Sequence, residues 1–550
     1  MSLRDPEGSA ALTARLLAQL NHRGPDGSGV LERGSSSIGM ARLRVRSAAS
    51  DDVPFTAGDE VHALNGEVYH AGGRTPAGGL EEALACAPGA DGMYAVVSAT
   101  RDGRLEVARD PLGIKPLFVR ESDEGVAIAS EVTPLLDAFG PAPVRREAFA
   151  QFLVTGRRVV DGGSFFEGIR PVRPGERLTV SGGKVVSTRH GGVAVPEPVG
   201  NGTPSAAELR EAVSVAVDRV LLADRPIGLA LSGGLDSTIL AALLAERGVT
   251  DLPTVSICPE GSSDGVRELA ELGLSGTRSW QHSWTPFEAA DLLDELPSAV
   301  QVMGEPTGMS SLPMYARLAR LARESGITVL VVGEGADELF GGYQRYANLR
   351  SGQHATALDF YLAEERRTMA TELLGCDVVE EAVETFRGEL PEGPACEVVR
   401  SHELQHSLEP LLRRTDHLLM AQGIEGRTPF LHGGVPALAS RLTPSQLVRG
   451  GETKVALREA FSDLVGEGRR EVPKIPFRAP VARWLGGSLL PRVDAELADS
   501  VGLLNDCLGV CPDGVQTLRK RLAGGQESAF PTAFNLLSTI HWLTWLESRG

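Results

Sequence analysis

One short segment constrains the fold of this 550-residue chain more than any other. Between an apolar run that predicts a buried strand (residues 227–231) and a helical pattern (residues 237–246), the chain reads Leu231-Ser232-Gly233-Gly234-Leu235-Asp236-Ser237. A bound phosphate chain needs backbone N–H groups that point inward, room free of side chains, and a helix N-terminus behind it. The two glycines meet the first two needs, and two serine hydroxyls add donors. The segment therefore predicts a loop that binds pyrophosphate.

The carboxylate of Asp236 adds a metal ion to this prediction. A carboxylate repels a bare phosphate, but it fits the site if Mg²⁺ lies between the two groups. The alternative is a glycine-rich turn whose serine and aspartate cap a helix, which any strand-to-helix junction could use. The loop alone leaves both interpretations open.

A second acidic segment follows another predicted strand, residues 327–332. It reads Gly333-Glu334-Gly335-Ala336-Asp337-Glu338-Leu339-Phe340-Gly341-Gly342-Tyr343. Its carboxylates are expected at the carboxyl edge of the sheet, where open α/β folds bind their ligands. Further on, Lys454 lies in a helical stretch and Lys474 in a short proline-containing segment. Lysines near helices are usually solvated, so position alone favours a surface role for these two.

The first part of the chain predicts a mainly β domain, residues 1–190. Short apolar runs separated by turn residues predict strands at 61–64, 94–98, 105–108, 117–119 and 126–129. Residues 191–204 are rich in Gly and Pro and form the predicted linker.

The second predicted domain, residues 205–550, has a different pattern. Predicted helices at 208–222, 237–246 and 312–323 alternate with predicted strands at 227–231, 254–258 and 327–332. Such alternation predicts a doubly wound parallel sheet, and hence a two-domain α/β protein. Beyond residue 401 the pattern is mostly helical.

Composition narrows the range of partners and compartments. The formal net charge is −18, from 72 acidic and 54 basic side chains, so we expect neither nucleic acid nor membrane surfaces as partners. The first residues lack an apolar signal, and no run approaches the roughly 20 apolar residues of a membrane span. The six cysteines are scattered and match no zinc or redox motif. We therefore expect a soluble, cytoplasmic protein with reduced thiols.

Together these segments resemble the asparagine synthetase superfamily, which also contains the β-lactam synthetases and the lasso-peptide cyclases. The similarity runs from His22 to about Leu485. The synthetase part is highly specific: SGGLDS, then GEGADELFGGY, then DHLLMAQGIEGRTPFL, then two lysines separated by 20 positions. The resemblance implies a second domain of the PP-loop type with extra helices. It implies a first domain of the Ntn-hydrolase type, an αββα sandwich.

The family's known site implies roles for five residues of the loops. In the family, the first motif binds the pyrophosphate of ATP, and the aspartates of the first two motifs hold Mg²⁺. By that resemblance Asp236 and Asp337 are metal ligands, and Leu231, Ile257 and Gly333 lie near the adenosine. ATP and Mg²⁺ are accordingly the expected cofactors.

The two lysines become catalytic candidates once the surrounding motifs are aligned with the family. A carboxylate that attacks the α-phosphorus creates negative charge beside the departing pyrophosphate. The ammonium groups of Lys454 and Lys474, with Mg²⁺ and the loop N–H groups, would offset that charge. Removal of one such group should raise the barrier by about 3 kcal/mol.

Glu334 bears on the second half-reaction. Asparagine synthetases carry an acid here, thought to help deprotonate ammonia, whereas β-lactam synthetases carry tyrosine. A carboxylate can act as base for an amine held against an acyl-adenylate, and charge balance beside Mg²⁺ is its alternative role. Two departures from the family, His417 in place of arginine and His432 in place of aspartate, lie near the region that shapes the family's acyl pocket. They put aspartate as substrate in doubt.

Three further residues also fall on family positions. They are Asp416, Glu425 and Arg427. A structural ion-pair network would explain them equally well, so no role is assigned to them.

The first domain resembles the class II glutamine amidotransferases through residues 22–27, 42–43, 65–67 and 108–117. In that family an N-terminal cysteine attacks the glutamine amide and an Asn-Gly pair stabilises the oxyanion. Arg42, Asn65 and Gly66 survive, but the chain begins Met1-Ser2 without the cysteine or its apolar strand. Residues 70–80 contain no acid for the glutamine amino group. We expect a vestigial glutaminase site; an upstream start codon or a nucleophilic Ser2 are the alternatives.

Three functions remain open from the sequence. The first is a synthetase, in specialised metabolism, that adenylates a small-molecule or peptide carboxylate and passes it to ammonia or an amine. The second is a cyclase that closes a lactam or macrolactam within one substrate; Glu334 and the intact DELFGGY run disfavour the β-lactam type. The third is a non-catalytic scaffold. A scaffold has no physical need for the arrangement of charges formed by Asp236, Asp337, Lys454 and Lys474. A homodimer is compatible with each.

Overall fold

The computed structural model describes residues 1–3, 8–46, 53–69, 91–156, 162–190, 202–260, 280–350, 356–465 and 477–549. The predictions for Lys474, for most of the linker at 191–204 and for residues 70–80 lie outside these ranges.

Two six-stranded antiparallel sheets form the first domain. The strands are β1 (Ser2–Leu3), β2 (Ser28–Arg33), β3 (Ser36–Ala41), β4 (Phe55–Ala57), β5 (Glu60–Tyr69), β6 (Asp91–Ala99), β7 (Leu105–Arg109), β8 (Phe118–Glu121), β9 (Gly125–Ala129), β10 (Ile169–Pro171), β11 (Glu176–Ser181) and β12 (Lys184–His190). One sheet has the order β10-β8-β9-β1-β3-β2 and the other β12-β11-β7-β6-β5-β4. All five strands predicted from the sequence in this domain are confirmed to within a few residues.

Apolar side chains from both sheets form one core between them. Ile38, Val119 and Val126 of the first sheet pack with residues of the second, such as Val107 and Val180. The helix Ser9–Ala18 packs on the outer side of β3; the domain's other described helices are Asn21–Arg23 (3₁₀), Val132–Leu136 and Arg146–Thr155. The predicted Ntn-type sandwich is confirmed.

The strand β1 differs from the sequence-based expectation that the first strand is missing. Ser2 pairs with Ser36 of β3 on one side and with Val126 of β9 on the other. Backbone groups alone make this pairing, so two residues suffice and no apolar sequence signal is needed.

The second domain is built on a five-stranded parallel sheet. Its strands are β13 (Ile227–Ala230), β14 (Thr254–Pro259), β15 (His282–Phe287), β16 (Val329–Val331) and β17 (Glu425–Arg427), in the order β15-β14-β13-β16-β17. The predicted parallel sheet is confirmed. Strands β15 and β17 are absent from the sequence-based prediction, and β17 lies in a region predicted to be helical.

The strand order places a crevice at the centre of this sheet. From β13 the chain proceeds through β14 to β15 on one side, and then returns to β16 on the other. The carboxyl ends of β13 and β16 are therefore neighbours, and connections leave them in opposite directions. Such a switch point is where doubly wound sheets bind ligands.

Helices surround the sheet and make up most of the C-terminal half. They are Ala206–Val220, Leu235–Glu246, Ala289–Met303, Leu312–Glu324, Ala336–Phe340, Gln344–Arg350, Ala357–Tyr361, Glu364–Leu374, Cys376–Glu389, Ala395–His402, Glu403–Ser407 (π), Leu408–Met420, Pro429–Leu431 (3₁₀), Val435–Ser440, Pro444–Leu447, Val455–Ala460, Ser462–Val465, Val481–Leu485, Leu490–Asp499, Val501–Leu508, Pro512–Ala523 and Ala529–Glu547. A two-stranded hairpin, β18 (Val448–Arg449) and β19 (Glu452–Thr453), precedes Lys454.

Two further features concern compartment and redox state. Across the described ranges, no helix combines the length and the apolar character needed to cross a membrane. Of the five cysteines that lie in those ranges, none forms a disulfide.

Candidate active site

The glycine-rich loop follows β13 directly and ends in a helix, as predicted. Gly233 has φ of 71°, a left-handed conformation that favours glycine, and Gly234 is the N-cap of the helix Leu235–Glu246. The Ser237 hydroxyl donates to the Gly234 carbonyl (3.1 Å) and accepts from the Ser232 N–H (3.3 Å). These contacts hold the loop in a narrow turn at the helix N-terminus, the geometry that suits an anion.

The predicted site residues in the described ranges meet around one cavity of about 170 Å³, called here the loop cavity. Its walls include every one of them outside the first domain: Leu231, Ser232, Gly233, Gly234, Leu235, Asp236, Ser237, Ile257, Gly333, Glu334, Asp337 and Lys454. Only Lys474 among the second domain's predicted residues is missing from this list, because it lies outside the described residues.

Lys454 lies at the centre of the charged part of this cavity. Its Nζ is 2.6 and 2.5 Å from the two carboxylate oxygens of Asp236 and 2.7 Å from Oδ1 of Asp337. The lysine is only 4% exposed and starts the helix Val455–Ala460 with φ of 55°. Burial alone would lower the pKa of its ammonium group, but the two carboxylates raise it to about 12. A surface role for Lys454 is therefore ruled out.

The carboxylates of Asp236 and Asp337 fit a magnesium ion. They come from the two loops that leave β13 and β16, and both contact the same ammonium group. Two partly buried carboxylates that both contact one ammonium group lie close together, and they require positive charge between them. Carboxylate oxygens are also the ligands that Mg²⁺ prefers, together with phosphate oxygens and water.

A glycine makes the approach of these three side chains possible. A Cβ atom on Gly342 would lie 1.8 Å from Asp337 Oδ1 and 2.2 Å from Lys454 Cε. Contacts this short cannot exist, so any side chain at position 342 must displace the aspartate, the lysine or both. The second glycine of the Gly341-Gly342-Tyr343 sequence is therefore required for Asp337 and Lys454 to lie in contact.

We expect Gly342→Ala to lower the rate of ATP–pyrophosphate exchange at least ten-fold, because displacement of catalytic groups by about 1 Å can cost that much or more. Substrate-dependent exchange of labelled pyrophosphate into ATP measures it. Gly388→Ala is the matched control, since a Cβ atom there meets nothing within 4 Å. Equal rates in both variants would contradict the close packing described.

Glu334 lies where the loop cavity opens into a larger one of about 1580 Å³, called here the large cavity. An Nη2 of Arg414 donates to Glu334 Oε1, and the same guanidinium donates to Ser311 (2.6 Å) and stacks 4.4 Å from the ring centre of Tyr315. Glu334 is thus held in a fixed orientation at the junction of the two cavities.

The sequence-based prediction missed several residues of this centre. Arg458, Thr453 and Phe477 line both cavities, and the buried Arg414 fixes Glu334. Arg458 could have been found, because it lies four positions after Lys454 on the same helix and so on the same face. Arg414 had no local signal, since its partner is 80 positions away.

The structure places the two departures from the family outside the walls of both cavities. His417 and His432 are buried, and neither lines the loop cavity or the large cavity. His432 Nδ1 lies 3.0 Å from Oδ1 of Asp91 in the first domain. They belong to the contact between domains, where helix and loop ends of the second domain face the first.

Asp416 confirms the alternative of a structural ion-pair network. Its carboxylate contacts Arg23 (2.6 Å) and Lys115 (3.2 Å), both from the first domain. Burial alone would raise the pKa of Asp416, but these cations lower it to about 2. Glu425 and Arg427 are likewise joined in an ion pair (2.9 Å), and the Arg427 guanidinium also lies 3.8 Å from Glu67 of the first domain.

Acid should weaken this domain contact through His417. Burial lowers the pKa of its ring from 6.5 to about 4, so the folded state favours the neutral ring. The free energy of unfolding is therefore unaffected by this histidine above pH 6.5, and it decreases as the pH falls from 6.5 towards 4. At pH 5 the decrease is about 2 kcal/mol. We expect His417→Asn to reduce the fall in melting temperature between pH 7 and 5, with His541→Asn as control. An unchanged fall would contradict this assignment.

The predicted vestigial residues keep structural contacts in the first domain. A Cβ atom on Gly66 (φ 108°) would lie 1.9 Å from the Met93 carbonyl, so this glycine is required by the β5–β6 pairing itself. Asn65 precedes it in β5, and the Arg42 N–H donates to the Gly27 carbonyl (2.8 Å). The contact at Gly66 would retain that glycine without any glutaminase role.

Ser2 is placed where a nucleophile would be hard to reach. It is fully buried in β1, and its hydroxyl accepts a hydrogen bond from the Gly183 N–H (3.3 Å) in the β11–β12 turn. The side chain therefore points between the two sheets.

Comparison with known proteins finds a matching family for each of the two domains. The asparagine synthase family profile matches residues 208–547, and a glutamine amidotransferase domain profile matches residues 80–190. The chain is 26% identical to asparagine synthetase [glutamine-hydrolyzing] 1 of Bacillus subtilis (strain 168), over 88% of this chain and 86% of that protein. It is 27% identical to asparagine synthetase [glutamine-hydrolyzing] of Asparagus officinalis, over 84% of this chain and 72% of that protein. It is 25% identical to asparagine synthetase, nodule [glutamine-hydrolyzing] of Pisum sativum, over 84% of this chain and 72% of that protein.

The glycine-rich loop at the switch point, together with the antiparallel sandwich before it, defines an ATP-binding carbon–nitrogen ligase with a class II glutamine amidotransferase domain. Since the synthase profile covers more than half of the sequence, the chain belongs to the asparagine synthase family.

Proposed function

We propose that this protein uses ATP and Mg²⁺ to adenylate a carboxylate and passes the acyl group to ammonia or an amine, without hydrolysing glutamine. One observation carries the proposal: the Lys454 ammonium lies between Asp236 and Asp337, beside the glycine-rich loop. The proposed domain limits are 1–190 for the amidotransferase-like part, 191–204 for the linker and 205–550 for the synthetase.

The proposed roles follow from charge and position. Bound Mg²⁺ would supply positive charge to the pyrophosphate as it leaves. The loop N–H groups at Gly233 and Gly234 and the ammonium of Lys454 would add to it, with Lys474 as a second proposed cation. These groups are fixed before reaction, so they stabilise developing charge at little reorganisation cost.

Glu334 is the proposed base of the second step. Its carboxylate lies at the junction of the two cavities and is oriented by Arg414. A base at this point could take the proton from an amine that attacks the acyl-adenylate from the large cavity. Removing the carboxylate should then slow amide formation more than adenylation.

Substrate-dependent exchange of labelled pyrophosphate into ATP tests the first step. The panel comprises aspartate and the carboxylates made by products of neighbouring genes, each with ammonium or amine present. At least one carboxylate should support exchange. A panel in which none does, for protein that binds ATP with Mg²⁺, would favour the scaffold hypothesis.

We predict that the purified protein does not release ammonia from glutamine. The second residue is Ser2, whose hydroxyl is a weaker nucleophile than a thiolate and is buried and hydrogen-bonded. A coupled glutamate dehydrogenase assay measures the release, with ammonium chloride as positive control. Glutamine hydrolysis by protein that begins Met1-Ser2 would contradict this part of the proposal.

An intramolecular cyclase is the second candidate, and the size of the large cavity favours it. Its volume of about 1580 Å³ exceeds the roughly 300–1,000 Å³ of common small-molecule pockets. A peptide that carries both the acid and the amine would use such space, and it would need no glutamine. Loss of water from a single substrate, seen by mass spectrometry without added amine, distinguishes this reaction from the intermolecular one.

A further inference from the structure

Three metal-ligating side chains meet in the helical part of the second domain, away from the glycine-rich loop. They are Glu389, His402 and His406, and one ligand atom of each lies within 4.8 Å of those of the other two. The imidazole rings of the two histidines have centroids 4.7 Å apart, and His402 Nε2 is 4.0 Å from Glu389 Oε2. Nothing in the adenylation chemistry uses this cluster.

The local backbone explains why the two rings face each other. His402 ends the helix Ala395–His402, and His406 lies in the π-helical segment Glu403–Ser407 that continues it. Histidines four positions apart share one helix face, which is the spacing used by helical zinc sites. Glu389 approaches from another element, the end of the helix Cys376–Glu389. Short π-helical segments are themselves frequent at functional sites.

Residues 402–406 read His-Glu-Leu-Gln-His, a pattern that in zinc hydrolases includes a glutamate as general base. Here Glu403 cannot take that role. It is fully buried, contacts Arg345 through a short ion pair, and accepts from the Tyr346 hydroxyl (3.3 Å). The cluster therefore has the ligand spacing of such a site but a glutamate held in a structural ion pair.

The donor set favours zinc over magnesium. Two imidazoles and one carboxylate suit Zn²⁺, whereas Mg²⁺ prefers oxygen ligands alone. Tetrahedral zinc with bonds of about 2.0–2.1 Å places ligand atoms roughly 3.3 Å apart. The present separations are up to 4.8 Å, so binding of zinc would bring the ligand atoms closer by about 1.5 Å at most.

The surroundings of the cluster give the metal a route to solvent and substrate. His402 and His406 line the large cavity together with Tyr361 and Phe386. Both aromatic rings pack against His402, with centroids at 4.7 and 5.5 Å, and so restrict its orientation. Three protein ligands would leave the fourth position of a tetrahedral metal open, and two of the three ligands line the cavity.

We propose that Glu389, His402 and His406 form a zinc-binding site in the wall of the large cavity. Its open position takes water or an anionic oxygen, such as a carboxylate, of a molecule held in that cavity. The metal site itself does not depend on the adenylation reaction proposed above.

Titration of the full-length protein with Zn²⁺ alone tests the site. Protein stripped with a chelator is titrated in the absence of ATP and Mg²⁺, in competition with a chromophoric zinc indicator. We expect one Zn²⁺ per chain in the wild type and at least 100-fold weaker binding in His406→Asn and His402→Ala. Co²⁺ substituted for Zn²⁺ should give the visible absorption of a tetrahedral nitrogen and oxygen site.

The controls separate this site from chance binding and from misfolding. His541→Ala removes a histidine that also contacts a glutamate (2.9 Å) but lies outside the cluster, and it should bind zinc as the wild type does. His406→Asn changes a half-buried residue, so thermal melts should show it folded even if His402→Ala is not. Absence of stoichiometric binding in the wild type, or equal binding in the wild type and folded His406→Asn, would overturn the proposal.

Discussion

Replacing Lys454 by methionine is expected to lower ATP–pyrophosphate exchange by about 10²–10³-fold, the usual cost of removing one preorganised charge from a site of this kind. Methionine keeps much of the length and apolar volume of the lysine stem and removes only the ammonium group. In the wild type that group contacts both Asp236 and Asp337. Its loss takes away positive charge that the departing pyrophosphate needs.

The Lys454→Met variant should also respond differently to magnesium. Without the lysine, the carboxylates of Asp236 and Asp337 face each other with no cation between them, which destabilises the fold. Mg²⁺ alone should therefore raise its melting temperature more than that of the wild type. Lys520→Met, on an exposed helix surface, is the control and should change neither property. Near-normal exchange in Lys454→Met would remove the central support for the enzymatic proposal.

The elements that position the site could be predicted because their signals are local. The loop after β13 combines an apolar strand, two glycines and a helix start within about ten residues, and the structure places all of these as expected. The convergence of Asp236 and Asp337 also followed, because parallel strands present their carboxyl ends at one edge of a sheet. Lys454 became identifiable only with the family resemblance, since a lysine on a helix has no distinct local pattern.

The features that sequence reasoning missed depend on distant partners. Strand β17 has three residues, one of them Arg427, whose buried guanidinium donates to the Val220 carbonyl more than 200 positions away. His432 follows the PFL segment near the region expected to shape the acyl pocket, yet its partner is Asp91 of the other domain. The pairing of Glu334 with Arg414 is of the same kind. Such contacts are set by tertiary packing, which local spacing does not determine.

The two carboxylates and the lysine form one unit, so their contributions should not be additive. Once Lys454 is lost, a second change at Asp236 removes a charge that has already lost its main partner. The double variant should therefore be little slower than the worse single variant. Full additivity would indicate that the aspartate and the lysine act at separate steps.

Asp236→Asn alone is expected to reduce exchange by about 10²–10³-fold and to raise the Mg²⁺ concentration needed for half-maximal rate, because the amide is neutral and a poor ligand for a hard cation. Asparagine has nearly the same shape, and it can still accept a hydrogen bond from Lys454, so the loop should keep its fold. Exchange measured over a range of Mg²⁺ concentrations, with a carboxylate that supports it in the wild type, gives both quantities. Asp251→Asn is the matched control: this aspartate is exposed and precedes β14 without lining either cavity. A slower Asp236→Asn enzyme with an unchanged Mg²⁺ requirement would mean that this carboxylate orients the lysine and does not hold the metal. In that event Asp337 would remain as the residue that binds it.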